Sequence, residues 1–168
     1  MTLSAPSPVS LVDAQQFRDA MTLIAGPITI VTTIDREGRR WGFTASSVTS
    51  GSLSPPLVLV GLSRTSSCHE ALVSSSEFVI NVLGDQHRDL ALKFAAHGVD
   101  RFADSDFAVW PGARLPYLPD AHASFRCVRW GTVPIGDHDL LVGALAEIRS
   151  GGPGKALLWY RRGFHTPG

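Results

Sequence analysis

GFTASSVTSGSLSPP, residues 42–56, places a row of small hydroxyls and a Pro-Pro step directly before LVLVGL, an apolar run at 57–62. From Trp41 to Ser63 the chain carries no Asp, Glu, Lys or Arg. A solvated loop normally carries some charge. A membrane span carries neither this many hydroxyls nor a Pro-Pro step. What remains is a surface that something else covers, laid against a buried strand.

Composition points the same way. A chain of 168 residues fits one domain and buries roughly 70% of its unfolded surface. Hydrophobic residues make up 44% and charged residues only 18%, with a mean hydropathy of +0.11. A Gly/Ala-rich composition would account for this, and so would surface buried in a partner subunit. We favour the second, because closed homo-oligomers are the commonest way to hide such surface. Net charge is +0 and the pI about 7.0, which gives no electrostatic case for nucleic acid or an anionic membrane.

Cys68 and Cys127 are too few for a disulfide framework or a Cys-rich zinc site. MTLSAPSPVSL at 1–11 has neither the basic region nor the apolar core of a signal peptide, and no apolar run approaches the roughly 18 residues of a membrane span. The expectation is a cytoplasmic protein with a flexible arm at 1–11 and one domain at 12–168.

Along the chain, Asp13 with Gln16 makes a capping box for a helix whose apolar stripe is Phe17, Ala20, Met21 and Ile24. Gly26-Pro27 stops it. Residues 28–34 read as a strand, 35–38 as a turn, and RRWGFT as the returning arm of a hairpin. Strand 57–62 follows, then a capping box at Ser67 and Glu70 opening a short helix through Leu72. Residues 78–83 are the next strand. Asp85 caps a helix carrying Leu90, Ala91 and Phe94, closed near Gly98, and 107–119 is irregular. Strands at 123–130, 140–148 and 156–160 complete the chain. Many strands, tight turns and few helices argue for an antiparallel barrel with helices outside, not a βαβ repeat.

Familiar catalytic motifs fail. SGGPGKALL at 150–158 has Arg149 where a phosphate loop needs its first Gly, and Ala156 where it needs Ser or Thr. GxGxxG and GxSxG are absent, and the histidines lack metal-ligand spacing. Chemistry here would fall to a small-molecule cofactor. The hydroxyl-rich stretch suits a flat heteroaromatic ring with amide-like edges. Arg64-Thr65-Ser66-Ser67, before the short helix, suits a phosphate. A Ser/Thr-rich edge strand and an ordinary N-cap explain the same residues.

GFTASSVTSGSLSPPLVLV resembles the signature of the flavin reductase-like family, the small reductase components of two-component flavin-dependent monooxygenases. RTSSCHEAL, FVINVLGDQHRDLALKFA, Arg101-Phe102, the Gly-Asp-His turn at 136–138 and ALLWYRRGF follow in the family's order, from about Phe17 to Phe164. The resemblance implies a mainly β fold with a few helices, a homodimeric Greek-key split β-barrel of the FMN-binding type. A flavin would lie at each subunit junction, NAD(P)H would donate hydride, and reduced flavin would pass to a partner monooxygenase.

Carried over by position, Thr44, Ala45, Ser46, Ser47 and Val48 line the flavin ring, with Ser50 and Gly51 beside it. Thr65, Ser66 and Ser67 meet the ribityl phosphate, with Ala71 and Leu72 close by. His97 and Gly98 match a loop that touches the nucleotide. His138, flanked by Asp137 and Asp139, matches the nicotinamide side, as do Lys155, Ala156, Leu157, Leu158 and Tyr160. Phe164 stands where the family often has Tyr.

FAD is preferred to FMN because no dense basic cluster marks a terminal phosphate, and NADH to NADPH because none lies near Lys155. Plainer roles stay open: His138 as a turn residue, Lys155 as a solvated lysine, Arg64 as a surface charge, Asn81 as a satisfied core amide. So do two other functions on such a barrel, a non-catalytic flavin- or haem-binding protein and an oxidase of a small amine.

Overall fold

Two serines decide the architecture. A computed structural model describes residues 3–4 and 9–168; residues 1, 2 and 5–8 of the expected arm lie outside the described residues. After helix α1 (Ala14–Met21) come strands β1 (Gly26–Pro27), β2 (Thr29–Ile34), β3 (Arg40–Ala45), β4 (Val48–Ser52) and β5 (Leu57–Ser63). Helix α2 (His69–Ser74), β6 (Glu77–Val82), a 3-10 turn at Asp85–His87 and α3 (Arg88–Ala95) follow. The rest is β7 (Ala108–Val109), β8 (Pro116–Tyr117), β9 (Ala123–Ile135), β10 (His138–Ser150), β11 (Leu158–Tyr160) and β12 (Gly163–His165).

Seven strands form one antiparallel sheet in the order β3-β2-β6-β9-β10-β5-β4. Its two edge strands, β3 and β4, are separated in sequence by Ser46 and Ser47 alone. Laid flat, seven strands would hold their edges about 29 Å apart. The three Cα steps from Ala45 to Val48 reach at most about 11 Å. The sheet therefore coils until its edges converge at this corner. Among the described residues no ladder joins β3 to β4, so the coil is not closed by strand pairing. One core cluster draws residues from nearly every strand of the sheet, including Val31, Ala45, Val60, Phe78 and Leu141, as a coiled sheet with an apolar interior requires.

β2 is buried on both faces: Val31 packs inside the coil, while Ile30 packs outside with Phe94 of α3 and Leu157. That explains its unbroken β-branched sequence. The capping box of α1 forms as expected, Gln16 N donating to Asp13 at 2.8 Å and Asp13 N to Gln16 at 3.1 Å. Its apolar stripe does not find a home in this chain. Phe17, Met21 and Ile24 all stay exposed, and the helix is held by Arg162 donating to Asp19 and Arg161 N donating to Thr22 O. No helix among the described residues is long and apolar enough to cross a membrane.

Several boundaries differ from the sequence expectation. Gly26-Pro27 is a short strand, the helix having ended at Met21. Ser67 does not cap α2; the N-cap is Cys68, and its N–H is taken two residues earlier by Ser66 Oγ at 3.2 Å. Asp85 opens the 3-10 turn instead of capping α3, and His87 Nδ1 accepts from Gly84 N. β9 and β10 run thirteen residues each, because irregularities at Val142/Gly143 and Leu145/Glu147 let the long hairpin bend with the coil. The region taken as irregular contains the β7–β8 pair, which buries Trp110 with its indole N–H on Glu147.

Asn81 ties that region down. Its amide donates to Ile30 O at 2.9 Å and Thr32 Oγ1 at 3.2 Å, and accepts from Leu118 N at 2.8 Å and Ser124 Oγ at 3.2 Å. Asn81→Ala orphans buried groups at roughly 1–3 kcal/mol each, so an overall loss of about 3 kcal/mol is expected. Urea unfolding checks it: the midpoint falls with an unchanged m-value. A loss under about 1 kcal/mol would mean that the amide does not pin this segment.

Candidate functional site

The Ser46–Ser47 corner is held from both sides. Gly61 N donates to Ser47 O at 3.2 Å, and Ser47 Oγ donates to Gly61 O at 3.2 Å. A Cβ on Gly61 would lie 2.9 Å from Ser47 Oγ, and one on Gly26 3.0 Å from Ser46 O. Glycine is what lets β5 and β1 close on the corner. β1 pairs with β11 through Gly26 and Trp159, while β5 pairs with β10 through Ser63 and His138. The corner thus sits between the C-terminal strands and the Gly-Asp-His turn. Beyond it, β3 and β4 present outer edges with no strand partner among the described residues.

The expected ring-lining residues divide into two sets. Ser46, Ser47, Ser50 and Gly51 are exposed. Thr44 turns away, its hydroxyl donating to Ala91 O of α3 at 2.6 Å; Ala45 is buried in the core and Val48 packs against it. The latter three offer a ligand little beyond backbone.

The Thr65–Ser67 loop is fixed by a buried carboxylate that sequence reading assigned elsewhere. Asp139 accepts from Arg64 Nη2 at 3.0 Å and lies 2.6 Å from His69 Nε2 at the start of α2. The bond to His69, then that to Arg64, holds its carboxyl below the ordinary carboxylate value. Arg64 N also donates to Asp137 O at 3.2 Å, a second tie between loop and hairpin tip. Asp139 therefore does not flank His138 as expected. Only Asp137 does, at 2.8 Å from Nδ1, with its own carboxyl lowered chiefly by that bond. Thr65 and Ser67 are exposed and Ser66 is half-buried, while Ala71 and Leu72 are buried beneath the loop.

Next to this loop opens a cleft of about 690 Å³, lined by Ser67, His97 and Gly98 together with three cations, Arg39, Arg40 and Arg101, and one carboxylate, Asp100. Arg101 donates to Gly42 O at 2.8 Å and Ala96 O at 2.8 Å. Arg39 stacks over Trp41 at 4.3 Å and Arg40 over Phe102 at 4.7 Å. Sequence reasoning missed these cations as site residues, because the arginine pair and Arg101 lie far apart along the chain. Its preference for FAD rested on the lack of a dense basic cluster, and the structure overturns that premise.

Lys155 is exposed, its carbonyl accepting from Asp85 N. Ala156 bridges to Gly84, and Leu157 is buried between Leu83 and Ile28. Leu158 pairs with Pro27, and Tyr160 lies edge-on to His165. These residues lie on or beside the strand paired with β1 and His138 on the strand paired with β5, and among the described residues no hydrogen bond or ion pair joins the two sets. Phe164 packs edge-on against Trp159 in the outer core, a place that suits a ring without a hydroxyl. Cys127 is no nucleophile, since burial pushes its thiol up to about 12.

A family model described as flavin reductase like domain matches residues 21–168. An NADH:riboflavin 5'-phosphate oxidoreductase of Streptomyces pristinaespiralis is 54% identical over 157 residues, covering 93% of this chain and 89% of that one. The reductase component of a flavin-dependent trigonelline monooxygenase from Acinetobacter baylyi is 35% identical, covering 91% of this chain and 49% of the longer relative. Among solved structures, an NADH:FAD oxidoreductase of Streptomyces globisporus in complex with NAD and FAD fragments superposes with a TM-score of 0.85 at 28% identity. That likeness covers 94% of this chain and 96% of the other.

The Asp139 hub has a pH signature. Folding favours the charged carboxylate, so its contribution is complete above about pH 4 and fades as pH falls through the lowered folded-state value. In Asp139→Asn the melting temperature is expected to fall less between pH 7 and pH 3 than in the wild type. Thermal melts across that range check this; parallel curves for the two proteins would show that the hub does not couple to folding.

Proposed function

The chain belongs to the flavin reductase-like domain family, and from that membership we propose that it is an NADH-dependent flavin reductase whose two substrates meet at the Ser46–Ser47 corner. The observation that carries this reading is the corner itself. It is a charge-free bend with exposed hydroxyls and two unpaired strand edges, beside a cleft of guanidinium groups. A flat ring with polar edges fits the first feature and its phosphate tail the second.

In this arrangement the flavin ring lies on Ser46 and Ser47, with Ser50 and Gly51 at its margin. Thr44, Ala45 and Val48 act through backbone and by fixing the strands. The phosphate end runs toward Thr65, Ser66 and Ser67 and the Arg101 cleft, where His97 and Gly98 form one wall; Ala71 and Leu72 seat α2 below. His138 orients the nicotinamide from the β5 side, while Lys155–Leu158 and Tyr160 wall the other.

Flavin supplies the hydride acceptor and NADH the hydride, so no protein nucleophile is required. The chain's work is to hold two rings roughly 3–3.5 Å apart, which is where pre-positioning lowers the barrier. The relatives' names favour NADH and leave FMN and FAD both as acceptors. A flavin-dependent monooxygenase would take the reduced product; the Acinetobacter relative is named as the reductase component of one.

The coiled sheet is then one half of a homodimer of split barrels. Leu53 is 91% exposed within the charge-free stretch, and the stripe of α1 is uncovered. A second copy would cover both and complete the site between His138 and the C-terminal strands.

The purified protein should oxidise NADH only when flavin is added; no oxidation with either flavin would overturn the reading. Ser47→Leu should push the ring off the corner and cost roughly ten- to a hundredfold in flavin affinity, measured by fluorescence quenching. Unchanged affinity would place the ring elsewhere.

His138→Ala should lower kcat/KM for NADH by about ten- to a hundredfold, with a much smaller change in the flavin titration. If flavin binding collapses while KM for NADH holds, His138 serves the other substrate.

A further inference from the structure

A second cleft, of about 370 Å³, adjoins the first, and Arg40 lines both. Its walls are apolar side chains, Ile34, Phe107, Val109 and Pro116, and its cations are Arg40 and Arg114. Among the described residues no carboxylate lines it, whereas Asp100 lines the first cleft beside its three arginines. Val109 stands 65% exposed at the rim. The turn glycine Gly38, with φ of +84°, lies beside Arg114: a Cβ at that position would stand 3.1 Å from its guanidinium.

These cations are held but not neutralised. Among the described residues Arg39, Arg40 and Arg114 take part in no ion pair; the arginines that do are Arg64, Arg126 and Arg162. Arg39 lies over the Trp41 ring and Arg40 over the Phe102 ring, contacts that leave guanidinium N–H groups to donate to an acceptor. A planar guanidinium presented in this way matches phosphate oxygens in pairs. An apolar slot large enough for a small ligand then continues from the cationic bridge.

We infer that the two clefts together take an adenosine diphosphate group, with the pyrophosphate at Arg39 and Arg40 and the adenosine in the slot beside Val109 and Arg114. This rests on the proposed function, which puts the flavin phosphate at the mouth of the first cleft. The group that continues from a flavin phosphate is the ADP half of FAD; FMN ends before the second cleft. NADH carries the same group, so the experiment must separate the two sources.

Both Arg114→Ala and Val109→Glu alter exposed side chains, and a thermal melt confirms that each folds. For wild type and both variants, FAD and FMN are titrated by fluorescence quenching, ADP alone by calorimetry, and KM for NADH is measured with FMN as acceptor. The expected result is a loss of FAD affinity at least tenfold greater than that of FMN, with a matching loss for ADP. A tenfold rise in KM for NADH with an unchanged FAD-to-FMN ratio would keep the site and assign it to NADH. If the ADP affinity, the FAD-to-FMN ratio and KM for NADH all stay within twofold of wild type, or if wild type binds no ADP at millimolar concentration, the inference is overturned. Should wild type bind ADP and yet reduce no flavin, the ADP titration of the variants still decides this site while the proposed function fails.

Discussion

Two residues must join the opposite edges of a seven-stranded sheet, and most of what distinguishes this molecule follows from that constraint. The link is too short for a flat sheet, so the sheet coils around one apolar interior. Coiling leaves β3 and β4 as edges that meet at a corner without pairing. An unpaired edge is normally a liability that proteins cover or blunt with charge. Here the corner carries no charge at all, and glycines at 26 and 61 draw neighbouring strands tightly against it. The backbone groups left over are what a polar-edged ring would use.

The supports around the corner are rigid for separate physical reasons. Asp139, buried, binds the Arg64–His69 loop to the β9–β10 tip through its contacts with Arg64 and His69. Asn81, also buried, links β6 to β2 and to the segment that carries Leu118. Thr44 fastens β3 to α3. None of these need touch a substrate. Each removes freedom from an element that borders the corner, which is how a site built on edges and loops keeps its geometry.

Local signals made much of the fold legible. The β2–β3 hairpin, the capping box of α1 and the apolar run of β5 follow from periodicity and turn chemistry within a few residues, and the hydroxyl-rich stretch drew attention to the corner. The failures all required tertiary knowledge. Thr44 and Ala45 belong to the same stretch as Ser46, yet alternation on β3 turns one toward α3 and the other into the core. Ser67 has the spacing of a capping box, but Ser66 takes the N–H and Ser67 faces the cleft. Asp139 adjoins His138 in sequence, and strand alternation sends it to the opposite side. Arg39, Arg40 and Arg101 converge only because Arg101 follows α3 and α3 packs on β2 and β3.

That last convergence corrects an inference from overall charge. A net charge of +0 by itself gives no preference for anionic ligands. The structure separates the signs. Glu77 and Glu147 are paired with Arg126, Asp139 with Arg64, and Asp19 with Arg162. These carboxylates neutralise cations that hold the fold, and Arg39, Arg40 and Arg114 are left without an ion pair at the two clefts, with Asp100 also on the wall of the first. Exposed charges more than about 8 Å apart are largely screened in physiological salt, so an anion entering the clefts responds to Arg39, Arg40, Arg101 and Arg114, and to Asp100 on the first cleft's wall, more than to the paired acids elsewhere. Neutrality of the whole and a cationic site are therefore compatible, because the pairing that stabilises the fold is what leaves the site its charge.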